Sequence, residues 1–168
     1  MIAAYIGLGS NLGDSPAQLR RALEELALLP DLRLDAVSSV FRTEPQGRKA
    51  QPWFSNMVAK LSCSEKWTPQ NLLRELLALE TRMGRTRDPH DHFGPRIIDI
   101  DLLLFGDEAA HISGDPALEL PHPRLHERAF VLVPLHEIAP RLILPDGRAV
   151  CALLAALPHR VEEDRIYQ

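Results

Sequence analysis

Asp99 and Asp101 stand two residues apart inside an apolar run, Gly94-Pro95-Arg96-Ile97-Ile98-Asp99-Ile100-Asp101-Leu102-Leu103-Leu104-Phe105. On a β-strand successive side chains point to opposite faces, so the two carboxylates share one face, roughly 7 Å apart at the strand repeat. Ile98, Ile100, Leu102 and Leu104 are expected on the other face, with Leu103 and Phe105 continuing the aspartates' own. Carboxylates so placed converge on metal ions that can hold a phosphate chain between them. Arg85, Arg87 and Arg96, just upstream, bring the positive charge that meets a polyphosphate. A merely wet strand face would also carry aspartates, but Leu103 and Phe105 argue against a simple polar surface.

Glu80 is the next residue out of place. It falls on the apolar stripe of a helix opening at Thr68-Pro69, beside Leu72, Leu73, Leu76, Leu77 and Met83. A carboxylate on a core-facing stripe either has a task or reaches water at the helix end. Gly7-Leu8-Gly9-Ser10-Asn11-Leu12-Gly13 invites a dinucleotide-binding reading, but its spacing is one residue too long. The following helix signal also comes late, at Ser15-Pro16, so a tight turn ending the first strand is the expected use. His122 and His126, or His90 and His92, lack the partners of a zinc motif. Pro121 and Pro123 break any helix through the first pair while holding His122 stiffly enough to contact a ligand. Trp53-Phe54, Phe93 and Phe130 lie among polar and loop residues, where a flat heterocycle can stack. Asn56, two after Phe54 and on its strand face, both donates and accepts, which suits a pterin or purine edge.

These residues must be held by elements, and the pattern alternates. Ala3 to Gly9 reads as a strand. Ser15 as N-cap, Pro16 at the first helical position and Gln18 in a capping box open a helix with Leu19, Ala22, Leu23 and Leu26 on one face. Leu32 to Thr43 reads as a second strand, Glu44 to Pro52 as a loop, and Trp53 to Cys63 as a third strand. The Thr68 helix ends at Gly84 as C′ residue, then the loop Arg85 to Pro95 leads into the aspartate strand. The order β-α-β-β-α-β predicts an α+β fold with a ferredoxin-like core, two helices on one face of an antiparallel sheet. After Gly106 come a hairpin or loop, a short helix near Leu125 to Leu132, and a last helix from about Val150 to Leu157.

Composition sets bounds without choosing a function. The 168 residues suit one domain, and 45% apolar with 25% charged residues describe an ordinary globular chain. A net charge of −4 argues against a nucleic-acid coat or basic membrane binder, though not against a local basic pocket. Two cysteines, Cys63 and Cys151, make no disulfide framework, and neither a leader pattern nor a membrane-length apolar run is present. A cytoplasmic location is expected.

Several segments together carry a resemblance. They are Ile6 to Asp14, Phe41-Arg42-Thr43-Glu44-Pro45 with Gly47, and Gln51-Pro52-Trp53-Phe54-Ser55-Asn56. Glu80 through Gly84-Arg85, the Gly94-to-Asp101 block, and Leu120 to Arg124 through Arg128-Ala129-Phe130 follow in order. Over residues 5 to about 140 the chain resembles the 6-hydroxymethyl-7,8-dihydropterin pyrophosphokinases of folate biosynthesis. The resemblance implies an ATP-dependent diphosphotransferase. The pterin hydroxymethyl oxygen attacks the β-phosphorus of ATP, and AMP leaves. It implies that Asp99 and Asp101 hold two Mg²⁺ ions, with Arg85 and Arg96 as catalytic phosphate contacts. Glu80, Arg85, Arg87, Arg96, Leu102, His122 and Arg128 are then the ATP set. Thr43, Glu44, Gln46, Phe54, Asn56, Phe93, Asp99 and Phe130 are the pterin set, Phe54 and Phe130 sandwiching the ring and Phe93 riding on a closing loop. Asp88 stands where some members have Lys, and Pro123 where some have an aromatic. ATP and the pterin are the expected partners of a monomer, with no nucleic acid or membrane. The rival readings are another two-metal phosphotransferase of the nucleotidyltransferase kind, which would release pyrophosphate, and a non-catalytic ferredoxin-like interaction module.

Overall fold

The computed structural model describes residues 1–47, 49–87, 90 and 94–168, so the expectations placed on Asp88 and Phe93 lie outside the described residues. Nine strands and four α-helices follow one another among those residues: β1 (Ile2–Ser10), α1 (Ser15–Ala27), β2 (Leu32–Val37), β3 (Phe41–Thr43), β4 (Phe54–Cys63), α2 (Pro69–Arg82) and β5 (Asp99–Phe105) come first. The hairpin β6 (Ala110–Ile112) and β7 (Leu118–Leu120) comes next, then α3 (Ala129–Ile138), α4 (Val150–Ala156), β8 (Arg160–Glu162) and β9 (Arg165–Tyr167). The main sheet runs β5-β1-β4-β3-β9-β8, with β2 also on β4, and is antiparallel except where β9 meets β3.

Both faces of this sheet are covered. Ala4, Ile6 and Leu8 of β1 pack with Leu19, Ala22 and Leu26 of α1 and Leu72, Leu76 and Leu79 of α2. The opposite face carries Tyr5, Val58 and Leu103 against Val131, Leu132 and Leu135 of α3 and Val150 of α4. Alternation in the strands therefore feeds two cores, which is why these strands read as nearly continuous apolar runs. Among the described residues no helix is long and apolar enough to cross a membrane.

Four local expectations need correction. The N-cap of α1 is Asp14, whose carboxylate accepts the Ala17 N–H at 3.1 Å, and Ser15 instead shares a 2.7 Å bond with Ser55. The expected second strand is two strands. Ser38 donates its N–H to the Val58 carbonyl and accepts the Val58 N–H on its hydroxyl, both at 2.9 Å, so a side chain replaces part of the ladder there. The expected helix over 125–132 is a 3₁₀ turn at Leu125–Glu127 and then α3, separated by an extended Arg128. Apolar spacing carries across that break and cannot reveal it. Finally, β5 skips a residue against β1, for Tyr5 faces Leu104 and Ile6 faces Leu102. This bulge at Leu103 turns Leu104 to the α3 side and Phe105 to the α1–α2 side, the reverse of the expected alternation.

Candidate active site

Asp99 and Asp101 stand on β5 opposite Gly9 and Gly7 of β1. The two glycines lie inside the strand, not in the turn expected from their spacing, and they keep the floor beneath the aspartates clear. Gly9 is constrained by its neighbour: a Cβ built there would lie 2.7 Å from Asn56 Oδ1. Asn56 is buried, and its amide donates to the Thr43 hydroxyl at 2.6 Å. At the strand end Asn11 works as a staple. It exchanges bonds with the Arg96 backbone, Asn11 N–H to the carbonyl at 3.1 Å and Arg96 N–H to Asn11 Oδ1 at 2.8 Å. Its amide also donates to Gln51 Oε1 and to the Pro52 carbonyl. The residues leading into β5 and into β4 are thereby pinned to one side chain.

The end of α2 delivers the basic groups. Gly84, at φ +93°, is the left-handed C′ residue that the sequence predicts. Its N–H bonds the Thr81 carbonyl and the Arg85 N–H bonds the Glu80 carbonyl, both at 3.0 Å, the pairing of a Schellman motif. This turn folds Arg85 back over Glu80. The Glu80 carboxylate, 2% exposed, accepts from Arg85 at 2.8 Å, Arg87 at 2.5 Å and the Ile100 N–H at 2.7 Å. Glu80 thus closes the outer side of β5 and anchors two arginines together. Burial pushes its carboxyl up, with Arg85 and the Ile100 N–H opposing.

Arginines also hold both aspartates. Asp99 accepts from Arg85 and, at 2.9 Å, from Arg96. Burial alone would raise its carboxyl, but these two guanidinium groups outweigh burial and hold it below the ordinary carboxylate range. Asp101 accepts from Arg128 at 3.2 Å, and His122 Nε2 lies 3.9 Å away. Burial, then the Asp99 charge, push the Asp101 carboxyl up. His122 is fixed by its N–H, which donates to the carbonyl of the bulge residue Leu103 at 2.9 Å, and its Nδ1 accepts from the Arg124 N–H. Burial lowers its imidazole against the pull of Asp101. With Nδ1 accepting, Nε2 is the nitrogen that can donate on the Asp101 side.

Two cavities meet at this pair of carboxylates. One, of about 350 Å³, is lined by Thr43, Glu44, Gln46, Phe54, Asn56 and Phe130, with Asp99 and Asp101 at its edge. The other, of about 760 Å³, lies between α2 and the β6–β7 hairpin, with Glu80, Arg87, Leu102 and His122 in its wall and the same two aspartates at its edge. Every described member of the expected pterin set therefore borders the first cavity. The expected ATP set divides: Arg96 and Arg128 line the first cavity, and Arg85 bridges Glu80 to Asp99. The guanidinium carbons of Arg96 and Arg128 lie 6.0 Å from the centre of the Phe54 ring and 5.5 Å from that of Phe130, respectively. Asn11, Arg124 and Gln168 belong to the site's framework and went unselected in the sequence reading. Asn11 and Arg124 each had a signal, since both lie in segments that carry the resemblance, whereas Gln168 had none.

The profile of the 7,8-dihydro-6-hydroxymethylpterin-pyrophosphokinase family matches residues 5–140. The chain belongs to that family. A 2-amino-4-hydroxy-6-hydroxymethyldihydropteridine pyrophosphokinase of Methylorubrum extorquens is 46% identical over 157 residues, 94% of each chain. The protein of the same name from Pseudomonas aeruginosa is 44% identical over 154 residues, 92% of this chain and 91% of its own. A Plasmodium falciparum HPPK-DHPS crystal structure with pteroate superposes on 98% of this chain with a TM-score of 0.72 at 14% identity, a likeness of fold alone. This chain spans 47% of that longer one. For the family member in hand, Asp99 and Asp101 offer hard oxygen donors of the kind that Mg²⁺ takes. Among the described residues no cluster of three or more His, Cys, Asp or Glu side chains could hold a metal ion. A cation at the aspartates needs further oxygens from water and from a ligand, which suits an ion that arrives with phosphates.

Proposed function

We propose that this chain transfers the terminal pyrophosphate of ATP to the hydroxymethyl oxygen of 6-hydroxymethyl-7,8-dihydropterin, giving the pterin pyrophosphate and AMP in folate biosynthesis. The observation that carries the proposal is the junction of two cavities at Asp99 and Asp101. An aromatic cavity with a buried amide takes the pterin, and the larger one takes the nucleotide along the exposed side of β5. The phosphate chain then crosses the carboxylate pair. Asp99 and Asp101 would hold two Mg²⁺ ions there, which supply charge neutralisation on entering and leaving oxygens. Arg85 and Arg96, already parked on Asp99, can turn to phosphate oxygens with fixed, forked charge. Glu80 keeps Arg85 within reach of the junction, and His122 can donate from Nε2 to a nucleotide oxygen. Transfer of this kind needs alignment and charge neutralisation rather than a covalent nucleophile.

We read the sheet order β5-β1-β4-β3, with β2 and β3 as one interrupted strand, as a ferredoxin-like core. We also take the protein to act as a single domain, as a monomer and in the cytoplasm.

The deciding experiment incubates the protein with ATP, Mg²⁺ and the hydroxymethyldihydropterin and separates the nucleotides over time. AMP is expected in step with pterin pyrophosphate. ADP, or free pyrophosphate in place of a pterin pyrophosphate, would identify a different transfer. Asp101→Ala is expected to abolish turnover while keeping the circular dichroism spectrum, because a carboxylate at the junction is lost and no core contact is.

A further inference from the structure

The hairpin β8–β9 lies beyond the stretch that the family profile matches, yet it backs the first cavity by pairing with β3, which carries the lining residue Thr43. β9 runs parallel to β3 with Ile166 opposite Thr43, and the Arg42 N–H donates to the Asp164 carbonyl at 2.6 Å. Ile166 is 2% exposed and packs with Phe41 and Ala129, and Phe130 packs against that cluster. The Trp53 and Tyr167 rings meet edge to face, 5.6 Å between centres. This docking carries Gln168 to the start of α3.

There the carboxamide of Gln168 bonds on both sides of a single residue. Its Oε1 accepts the Ala129 N–H at 2.8 Å, and its Nε2 donates to the Glu127 carbonyl at 2.6 Å. The residue between them is Arg128, the N-cap of α3, whose own side chain makes no capping bond and reaches Asp101 instead. A helix start leaves N–H groups in need of acceptors, and a cap normally comes from the N-cap side chain. Here it comes from a glutamine 39 positions beyond Ala129. From the facing wall, Gln46 donates to the same Oε1 at 3.3 Å.

We propose that Gln168 is a positioning residue for the pterin: by clamping the backbone from Glu127 to Ala129 it fixes where the Phe130 ring stands in the cavity. The inference rests on the assignment of that cavity to the pterin. Phe130 depends on the clamp more than Arg128 does. A stacking ring has no polar anchor and acts only in contact, whereas Arg128 keeps its ion pair and its charge acts over distance. Loss of the clamp should therefore be felt in the pterin arm of the reaction and not in the ATP arm.

The test is steady-state kinetics on Gln168→Ala, Phe130→Ala and the double variant. Gln168→Ala is expected to raise the KM for the pterin about fivefold, the effect of one lost helix cap, with the KM for ATP within about twofold of wild type. Gln168→Met, which keeps the length of the side chain and loses both bonds, should do the same and guards against a packing defect in the alanine variant. In the double variant the pterin KM should equal that of Phe130→Ala alone, because a residue acting through the ring has nothing left to position. Additive effects, equal rises in both KM values, or no change would overturn the clamp. If Phe130→Ala itself leaves the pterin KM unchanged, the cavity assignment fails and the clamp's role falls with it; a normal Phe130→Ala effect beside a silent Gln168→Ala would reject the clamp alone.

Discussion

Glu80 shows how one side chain can be anomalous in sequence for a reason that only geometry supplies. Its place on an apolar helix stripe marks it, but the sequence does not say that the carboxylate faces an edge-strand N–H and two guanidinium groups. Removing it would leave the Ile100 N–H and Arg85 buried with fewer partners. Glu80→Ala should cost about 2–3 kcal/mol, below the usual penalty for a broken buried pair because Arg85 keeps Asp99. Glu80→Gln retains an acceptor for Ile100 and should cost about half as much. Urea unfolding of the two variants at pH 7 separates these cases; equal, small losses would show that the carboxylate merely fills space. The two cysteines offer a simpler check. Cys63 is fully buried, and burial pushes its thiol up to about 11, whereas Cys151 is exposed. A thiol reagent at pH 8 should therefore titrate one group in the native protein and two after unfolding. Two in the native state would show that β4 opens readily.

Elements were legible where local chemistry announces itself. Thr68-Pro69 opens α2 and Gly84 closes it as the sequence predicts, for a cap and a left-handed glycine are local requirements. Gly84→Ala tests the consequence. A Cβ there meets nothing within 4 Å, so the cost is confined to the backbone at φ +93°, about 1–2 kcal/mol. If the Schellman turn is what aims Arg85, kcat should fall by about tenfold or more with the pterin KM unchanged. A stability loss without a kcat loss would mean that Arg85 finds its place by itself. Other elements were illegible for equally physical reasons. Ser38 and Arg128 interrupt elements whose apolar pattern continues, and the Leu103 bulge swaps the faces of Leu104 and Phe105 inside an unbroken apolar run. The hairpin β8–β9 has three residues per strand, too short for alternation to rise above chance, and its docking on β3 is a long-range pairing. The expected cavity residues came together because Thr43, Phe54 and Asn56 lie at paired positions of β3 and β4, and Gln168 was missed because its role needs the whole fold.

Across the molecule a net charge of −4 coexists with a junction that holds Arg85, Arg87, Arg96 and Arg128 beside Glu80, Asp99 and Asp101. Without substrates these groups neutralise one another. On the site assignment proposed above, divalent cations take the aspartates only as the guanidinium groups let go, and a triphosphate gives the guanidinium groups somewhere to go. Each close pair carries a gross attraction of roughly 5 kcal/mol at 3 Å and an effective dielectric constant of 20, so the exchange is a substantial barrier to cation binding alone. That assignment predicts that cation and nucleotide binding are thermodynamically coupled, each favouring the other. Arg128→Ala gives this argument a sign that a simple loss of function would not. Freed from its 3.2 Å partner, Asp101 should bind a divalent cation in the substrate-free protein about tenfold more tightly, while turnover with ATP and pterin falls. Calorimetric titration of Mg²⁺ into both proteins, without nucleotide, measures the first effect, and AMP release measures the second. A cation affinity that stays the same or drops in the variant would show that Arg128 does not compete for Asp101, and that the arginine cluster waits beside the carboxylates without holding them.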